Sequence, residues 1–274
     1  MSLEAAERAV RDGDLDAALR YLQERVRQRP ADAKLRVFLF QLLCVLGQWD
    51  RALTQLNTAA ELDAQALGMA QMYRDAVQCE MLRGGVFAGQ RSPLIFGEPA
   101  EWLALLIESL LVTGTPRSGE AQSLRARAFE AAPTSSGTVD GEPFEWIADA
   151  DMRLGPVCEA VINGRYYWVP FDRLTKIDLE PPADLRDVVW IPAHFQFSNG
   201  GESVGLIPTR YAGSEHAADG QLRLARKTEW SEIGPDVFTG QGQRQFSTDA
   251  GDHPVMDIRS ITLGPRPATG AASA

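Results

Sequence analysis

The chain has 274 residues, which is enough for two domains of ordinary size. Hydrophobic residues make up 45% of it and charged residues 23%, the balance of a globular protein with material for a sizeable core. Its formal net charge of −10 argues against non-specific binding to nucleic acids or anionic membranes, because like charges repel.

Cysteine usage and the apolar stretches predict the compartment. Cys44, Cys79 and Cys158 are odd in number and widely spaced, which is typical of a protein without a disulfide framework. The first residues show no basic segment followed by an apolar one, so we expect no secretory signal. The stretch 37–46 is too short to cross a bilayer, which takes roughly 20 residues. We therefore expect a cytoplasmic protein, with no metal and no cofactor.

The beginning of the chain contains an internal repeat. A shift of 34 residues aligns Gly13 with Gly47, Asp16 with Asp50, Ala18 with Ala52, Leu19 with Leu53 and Leu22 with Leu56. This is the period of the tetratricopeptide repeat (TPR), a pair of antiparallel helices. In such a repeat the glycines end helices, the alanines permit close packing and the leucines fill the space between helices. The spacing therefore predicts a TPR-like α-helical solenoid over residues 1–132.

The segment between the two repeats is apolar on every side. Residues 35–46 carry leucines on one face and Val37, Phe40 and Cys44 on the other, so this helix should be buried on two sides. Asp32 is the predicted N-cap of this helix.

Further helices are expected after residue 64. The apolar periodicity predicts helices near 65–83, ended by Gly84 and Gly85, near 99–113, with Pro99 as first residue, and near 118–131. The N-terminal domain should then contain about seven helices.

The second half follows a different pattern. Residues 133–143 (PTSSGTVDGEP) form the strongest composition break and predict a linker. Residues 144–263 alternate short Val-, Ile-, Trp- and Tyr-rich runs with turn residues, which predicts a β-rich domain, an antiparallel sheet or a barrel-like arrangement. Residues 264–274 should be a disordered tail, because they are too small and polar to pack. The candidate strands are 144–149, 157–162, 166–169, 188–197, 204–208, 222–228 and 255–262.

Five segments of the β-rich half resemble the ImpE/TagJ family, also called SciE-like. They are 144–156 (FEWIADADMRLGP), 164–171 (GRYYWVPF), 182–193 (PADLRDVVWIPA), 207–211 (IPTRY) and 240–244 (GQGQR). The resemblance implies a non-enzymatic accessory protein of type VI secretion. It also implies binding to the small contractile-sheath subunit (TssB-like) and a link to sheath disassembly by the ClpV ATPase. It supplies no catalytic residues.

A solenoid groove is the predicted docking surface for such a partner. Stacked helix pairs form a concave surface that suits an amphipathic partner helix. The residues left outside the predicted core stripes are the candidate partner-binding residues: Arg36, Phe40, Gln41, Tyr73 and Arg74. Core packing is the alternative for the two aromatic residues.

An enzyme or metal-binding protein is the alternative function. Asp149 and Asp151 would share one face of a strand, where two carboxylates could bind a divalent cation or act as acid and base. The structural interpretation is that they cap turn amides, with Arg153 as an ion-pair partner.

A second enzyme-like pattern is the segment 201–205, which matches the G-x-S-x-G motif of serine hydrolases. That chemistry needs the serine on a sharp turn from strand to helix. Ser203 instead follows a hairpin turn and enters a predicted strand, which favours a glycine-rich hairpin.

Overall fold

The computed structural model describes residues 3–113, 115–234 and 237–264. Seven of its described helices precede most of the strands, as expected, and an eighth, short helix interrupts the second half. The helices are α1 (Leu3–Asp12), α2 (Leu15–Gln28), α3 (Ala33–Val45), α4 (Trp49–Leu62), α5 (Leu67–Phe87), α6 (Glu101–Val112), α7 (Ala121–Ala131) and α8 (Gly220–Arg223).

The strands form three sheets. They are β1 (Leu94–Ile95), β2 (Gly137–Val139), β3 (Glu142–Phe144), β4 (Ile147–Asp149), β5 (Val157–Ile162), β6 (Arg165–Pro170), β7 (Leu174–Leu179), β8 (Trp190–Phe197), β9 (Glu202–Pro208), β10 (Thr228–Gly234), β11 (Val237–Gly242), β12 (Gln245–Thr248), β13 (Gly251–Pro254) and β14 (Ser260–Leu263). A nine-stranded sheet has the order β1-β6-β5-β9-β8-β7-β14-β2-β3, a three-stranded sheet the order β13-β12-β4, and β10 pairs with β11. Because the large sheet ends in β1 and β3, its described strands form an open sheet rather than a closed one.

Local signals set the ends of the first helices as predicted. Gly13 and Gly47 adopt φ values of 82° and 65° at the ends of α1 and α3, a conformation that glycine takes without steric cost. The carboxylate of Asp32 accepts a hydrogen bond from the Leu35 amide at 3.3 Å and caps α3.

Two predicted helix boundaries are wrong. Helix α5 continues through Gly84 and Gly85 to Phe87, because Arg83 and Val86 are anchored in the core on either side of the glycines. Tertiary contacts thus override a helix-breaking propensity of about 1 kcal/mol per glycine. Helix α6 begins at Glu101, two residues after the expected Pro99.

The predicted linker is not a free connector. Residues 133–143 contain β2 and most of β3, which form a hairpin at the edge of the large sheet. Its turn residues, Asp140 and Gly141, have φ values of 49° and 91°, the two positive values that a tight two-residue hairpin requires. Asp140 also accepts a hydrogen bond from the Ser260 amide at 2.7 Å, which ties the hairpin to β14. The predicted tail lies outside the described residues apart from Gly264.

Three of the predicted strands are confirmed and one is wrong. The strand at 157–162 is confirmed with its bounds, and the strands at 188–197 and 204–208 are confirmed within two residues. The strand expected at 222–228 is wrong. Asp219 caps α8 by accepting from the Gln221 amide at 2.8 Å, and the strand begins only at Thr228.

The helices and the large sheet share one hydrophobic core. Phe40 and Tyr73 from α3 and α5 pack edge to face with ring centroids 6.0 Å apart. Trp190 of β8 covers Tyr73, with ring centroids 5.7 Å apart, and also contacts Trp49, at 6.1 Å. The inner helices that were expected to line an open groove are therefore covered by the chain's own sheet.

A buried arginine joins the same two parts of the chain. The Arg210 guanidinium donates to the carbonyl oxygens of Val45, at 2.8 Å, and Cys44, at 3.3 Å. These carbonyls belong to the last two residues of α3, where the helix dipole favours a cation. The opposite face of the sheet has a core of its own, which includes Ile177, Phe195 and Ile261.

Candidate functional site

A groove of about 820 Å³ lies between α5 and the large sheet. We call it the α5 groove. Helix α5 forms one wall, β8 and β9 form another, and the segment after β7 closes one side. Its apolar lining includes Met69, Met72, Val161, Leu179, Val204 and Leu206.

Two of these apolar side chains are among the large hydrophobic residues that the fold leaves exposed. Val204 on β9 is 74% exposed and Met72 on α5 is 46% exposed. Valine on a strand normally packs against neighbours on the sheet, and methionine is common on surfaces that adapt to a partner. The groove therefore presents apolar contacts on both walls.

Carboxylates dominate the charged lining of the α5 groove. The charged lining residues are Asp75, Asp178, Glu180, Asp184, Asp187 and Arg186, which gives a net charge of −4 with His194 neutral. An acidic groove repels phosphates and attracts a cationic partner.

Three of the groove carboxylates already have partners. Asp184 pairs with the Arg186 guanidinium, with 2.9 Å between Oδ1 and Nε. Asp178 accepts from the Ser260 hydroxyl at 2.8 Å and pairs with Lys176 at 2.9 Å. Asp187 accepts from backbone amides of the segment that precedes it.

The other two groove carboxylates are unpaired. Within the described part of the chain, the carboxylates of Asp75 and Glu180 make neither a hydrogen bond nor an ion pair. Asp75 extends over the turn between β5 and β6, since a Cβ added at Gly164 would come within 2.9 Å of its Oδ2 atom. These two side chains are available to a ligand.

The predicted binding residues do not come together. Phe40 is 0% and Gln41 9% exposed, so neither can contact a partner on the surface of the folded chain. Tyr73 is only 2% exposed and reaches the α5 groove beneath Arg186, whose guanidinium lies 4.7 Å from the tyrosine ring. Core packing, the alternative for the two aromatic residues, is thus the observed arrangement.

The two predicted arginines lie nearer the surface. Arg36 donates to Gln55 at 2.7 Å and Arg74 donates to Asn57 at 2.7 Å, so both bridge neighbouring helices. Their contact with a partner stays a prediction.

Asp149 and Asp151 are buried and bonded within the protein. Asp149 pairs with the Arg244 guanidinium and accepts from the Asp151 amide at 2.9 Å. Asp151 accepts from Arg153 Nε at 2.9 Å and from the Gly240 amide at 3.0 Å. Both carboxylates are at most 3% exposed, which supports the structural interpretation.

Asp149 belongs to a buried cluster that joins α5 to the sheet. Glu159 of β5 accepts from Arg83 of α5 at 2.7 Å and 2.9 Å, and it also pairs with Arg244. The Tyr166 hydroxyl donates to the same carboxylate. We call Arg83, Asp149, Glu159 and Arg244 the buried junction.

The pKa values of the two carboxyl groups in the buried junction shift in opposite directions. Burial raises the pKa of Asp149 to about 7, although Arg244 opposes the shift. Burial also acts to raise the pKa of Glu159, but Arg83 and Arg244 outweigh it and hold that pKa at about 2. Glu159 is therefore fully ionised between two guanidinium groups. Asp149 pairs with Arg244 alone, and it shares that guanidinium with Glu159.

Four of the five family-like segments supply residues to this region. Asp149, Tyr166, Arg210 and Arg244 come from four different segments, and each is buried. Sequence reasoning missed Arg83 and Glu159, although a charged residue inside an apolar strand such as VCEAVI is a signal for a buried ion pair.

The hydrolase-like segment forms ordinary strand structure. Ser203 lies on β9, and its hydroxyl donates to the Val204 carbonyl at 3.2 Å. Among the described residues, no group of three or more His, Cys, Asp or Glu side chains could hold a metal ion. No helix in the described ranges is both long and apolar enough to cross a membrane.

Comparison with known proteins identifies the family. A family model described as ImpE protein matches residues 141–262, and one described as tetratricopeptide repeat matches residues 9–72. The chain is 50% identical over 260 residues to the type VI secretion system accessory component TagJ of Pseudomonas aeruginosa, covering 95% of this chain and 91% of that protein. The chain belongs to the ImpE/TagJ family.

A solved structure shows that this fold occurs elsewhere. The crystal structure of a Vibrio parahaemolyticus protein has a TM-score of 0.87 and 25% sequence identity, and the match covers 97% of this chain and 99% of that one. The predicted family and the TPR-like start of the chain are thus confirmed. The sheet expected after it is present, in the open form described above.

Proposed function

We propose that the chain is a cytoplasmic, non-enzymatic adaptor of a bacterial type VI secretion system. It binds a helical segment of the small contractile-sheath subunit (TssB-like) and contributes to sheath disassembly by the ClpV ATPase. Membership of the ImpE/TagJ family supports the secretion role, because the P. aeruginosa relative is an accessory component of that system.

The α5 groove is the observation that carries the adaptor role. It combines exposed apolar side chains on both walls with unpaired carboxylates, which is the chemistry of a protein-binding surface. The solenoid face expected from sequence is a weaker candidate, because Trp190 and the rest of the shared core cover it. We therefore propose the junction of helix and sheet, rather than the solenoid face, as the docking surface.

Calorimetry tests the sheath partner directly. The full-length chain is titrated with the purified small sheath subunit of the same organism, and then with overlapping peptides that span it. We expect one peptide to bind with micromolar to submicromolar affinity, on the order of −8 kcal/mol. Absence of binding by the intact subunit and by every peptide would remove the sheath partner. The full chain is needed because residues 1–132 and 133–274 share one core.

The adaptor role also predicts no turnover. Purified protein tested against ester, phosphoester and nucleotide substrates should show no activity above background, because Asp149, Asp151 and Ser203 are bonded within the fold. Activity that disappears in Ser203→Ala or Asp149→Asn would establish the alternative function. Asp252→Asn, on an exposed strand, is the matched control.

A further inference from the structure

We propose that the α5 groove binds a basic amphipathic helix, with the apolar side of that helix on Met72 and Val204 and its cations on Asp75 and Glu180. The inference rests on the proposed adaptor function and adds the location of the site and the chemistry of the partner segment.

The apolar contacts come from two walls that no described element covers. Met72 belongs to α5 and Val204 to β9, and both line the α5 groove while exposing 46% and 74% of their surface. Contacts of this kind bury apolar area when a partner binds, and they favour a ligand with an apolar stripe.

Charge selects a cationic partner. Asp75 and Glu180 lie on the same groove, and no described residue pairs with their carboxylates. Arg186, the arginine of the lining, is in contrast already held by Asp184 and Tyr73. A lysine or arginine on the partner would gain a charge-assisted hydrogen bond without breaking an existing pair. An acidic or phosphorylated segment would instead meet like charge.

Sheet pairing favours a helix over an added strand. Along the groove, β8 is paired with β7 on one side and with β9 on the other. Strand β9 also pairs with β5 at Gly205 and Leu206, which leaves 202–204 as its unpaired edge. Three residues are fewer than the five or six of an ordinary strand. A helix satisfies its own backbone hydrogen bonds and needs no free edge.

Matched variants on the full-length chain test the apolar contact. Met72→Glu is compared with Met81→Glu, which lies on the same helix, is 50% exposed and does not line the groove. The probes are the small sheath subunit and, separately, a synthetic amphipathic helix of leucines and lysines. We expect Met72→Glu to weaken binding of both probes about tenfold or more and Met81→Glu to change it less than twofold.

Charge reversal tests the polar contact. Glu180→Lys should weaken binding of both probes about tenfold at low salt and less at high salt. Glu61→Lys, at an exposed position of α4, should have little effect. A glutamate-for-lysine version of the synthetic helix should bind Glu180→Lys better than it binds the unchanged chain. Unaltered melting temperatures for all four variants confirm that the fold is intact.

The outcomes separate this inference from the proposed function. If Met72→Glu and Glu180→Lys leave binding of the sheath subunit unchanged, the groove site is overturned and the sheath partner is kept. Groove-dependent binding of the lysine helix without binding of the sheath subunit would support the groove chemistry and overturn the sheath partner. Equal effects of the groove and control variants would overturn the groove site.

Discussion

The buried junction and the α5 groove are both rich in carboxylates, yet they have opposite surroundings. In the buried junction, Asp149 and Glu159 are almost without solvent contact, and each is paired with a guanidinium group. In the α5 groove, Glu180 is exposed and Asp75 is partly exposed, and neither carboxylate has a partner among the residues that the structure describes. The carboxylates of the buried junction are structural because they have partners within the chain. Those of Asp75 and Glu180 have none among the described residues and are available for binding.

The same contrast explains why acidic residues mislead a reader of the sequence. The pair Asp149 and Asp151 has the spacing of a catalytic or cation-binding site, but protein donors already occupy both carboxylates. Asp75 and Glu180 are more than 100 positions apart in the sequence, and no local pattern marks them. Burial and pairing, rather than spacing, decide which carboxylates can act on a partner.

The largest expected effect is loss of stability when Arg244, one of the two cations of the buried junction, is removed. Arg244→Met would leave Asp149 and Glu159 buried with a single remaining guanidinium, at a cost of about 3–5 kcal/mol in the free energy of unfolding. Urea denaturation measures it, with Arg127→Met on the exposed face of α7 as the control. Adding Asp149→Asn should recover part of the loss. A stability within about 0.5 kcal/mol of the unchanged chain would contradict the structural role.

A pH effect of intermediate size should follow from Asp149. Its pKa rises from 3.8 to about 7 on folding, so the folded chain keeps a proton that the unfolded chain releases between these values. Stability should therefore fall as pH rises from about 4 to 7, with this group contributing at most about 1.4 kcal/mol per pH unit. Asp149→Asn, which resembles the protonated form, should show a shallower decline in urea denaturation between pH 5 and 8. Parallel curves would contradict the raised pKa.

Much of the helical half could be predicted because its signals are local. The 34-residue period, the glycines at helix ends and the Asp32 cap each depend on a few neighbouring residues. The largest deviation is α5, which continues past Gly84 because Arg83 reaches across to Glu159, 76 positions away. Sequence periodicity carries no information about such a contact.

The second half was less predictable because several of its strands are polar. Strand β5 (VCEAVI) is apolar enough to be recognised, whereas β10 (TEWSEIG) and β13 (GDHP) lack the alternation that marks a half-buried strand. The hairpin of β2 and β3 resembles a linker in sequence, because its Asp-Gly turn lies in a polar, glycine- and proline-containing stretch. The α5 groove could not be predicted, since it depends on where α5 meets β8 and β9.

The smallest expected stability effect belongs to the groove carboxylates. Glu180→Gln and Asp75→Asn should each change the free energy of unfolding by less than about 0.5 kcal/mol, because neither removes an existing partner. Both should reduce the salt dependence of sheath-subunit binding, measured by calorimetry between low and high ionic strength. A loss of stability near that of Arg244→Met would contradict the distinction between binding carboxylates in the groove and structural carboxylates in the buried junction.

Hydrogen exchange of the full-length chain, with and without the small sheath subunit, tests the location of the partner site most directly. If a helix binds in the α5 groove, we expect slower exchange in three segments: 69–75 of α5, the loop 180–187 and 202–206 of β9. Slower exchange confined to α2, α3 and α4, or to strands β10 and β11, with those three segments unchanged, would contradict the groove as the docking surface.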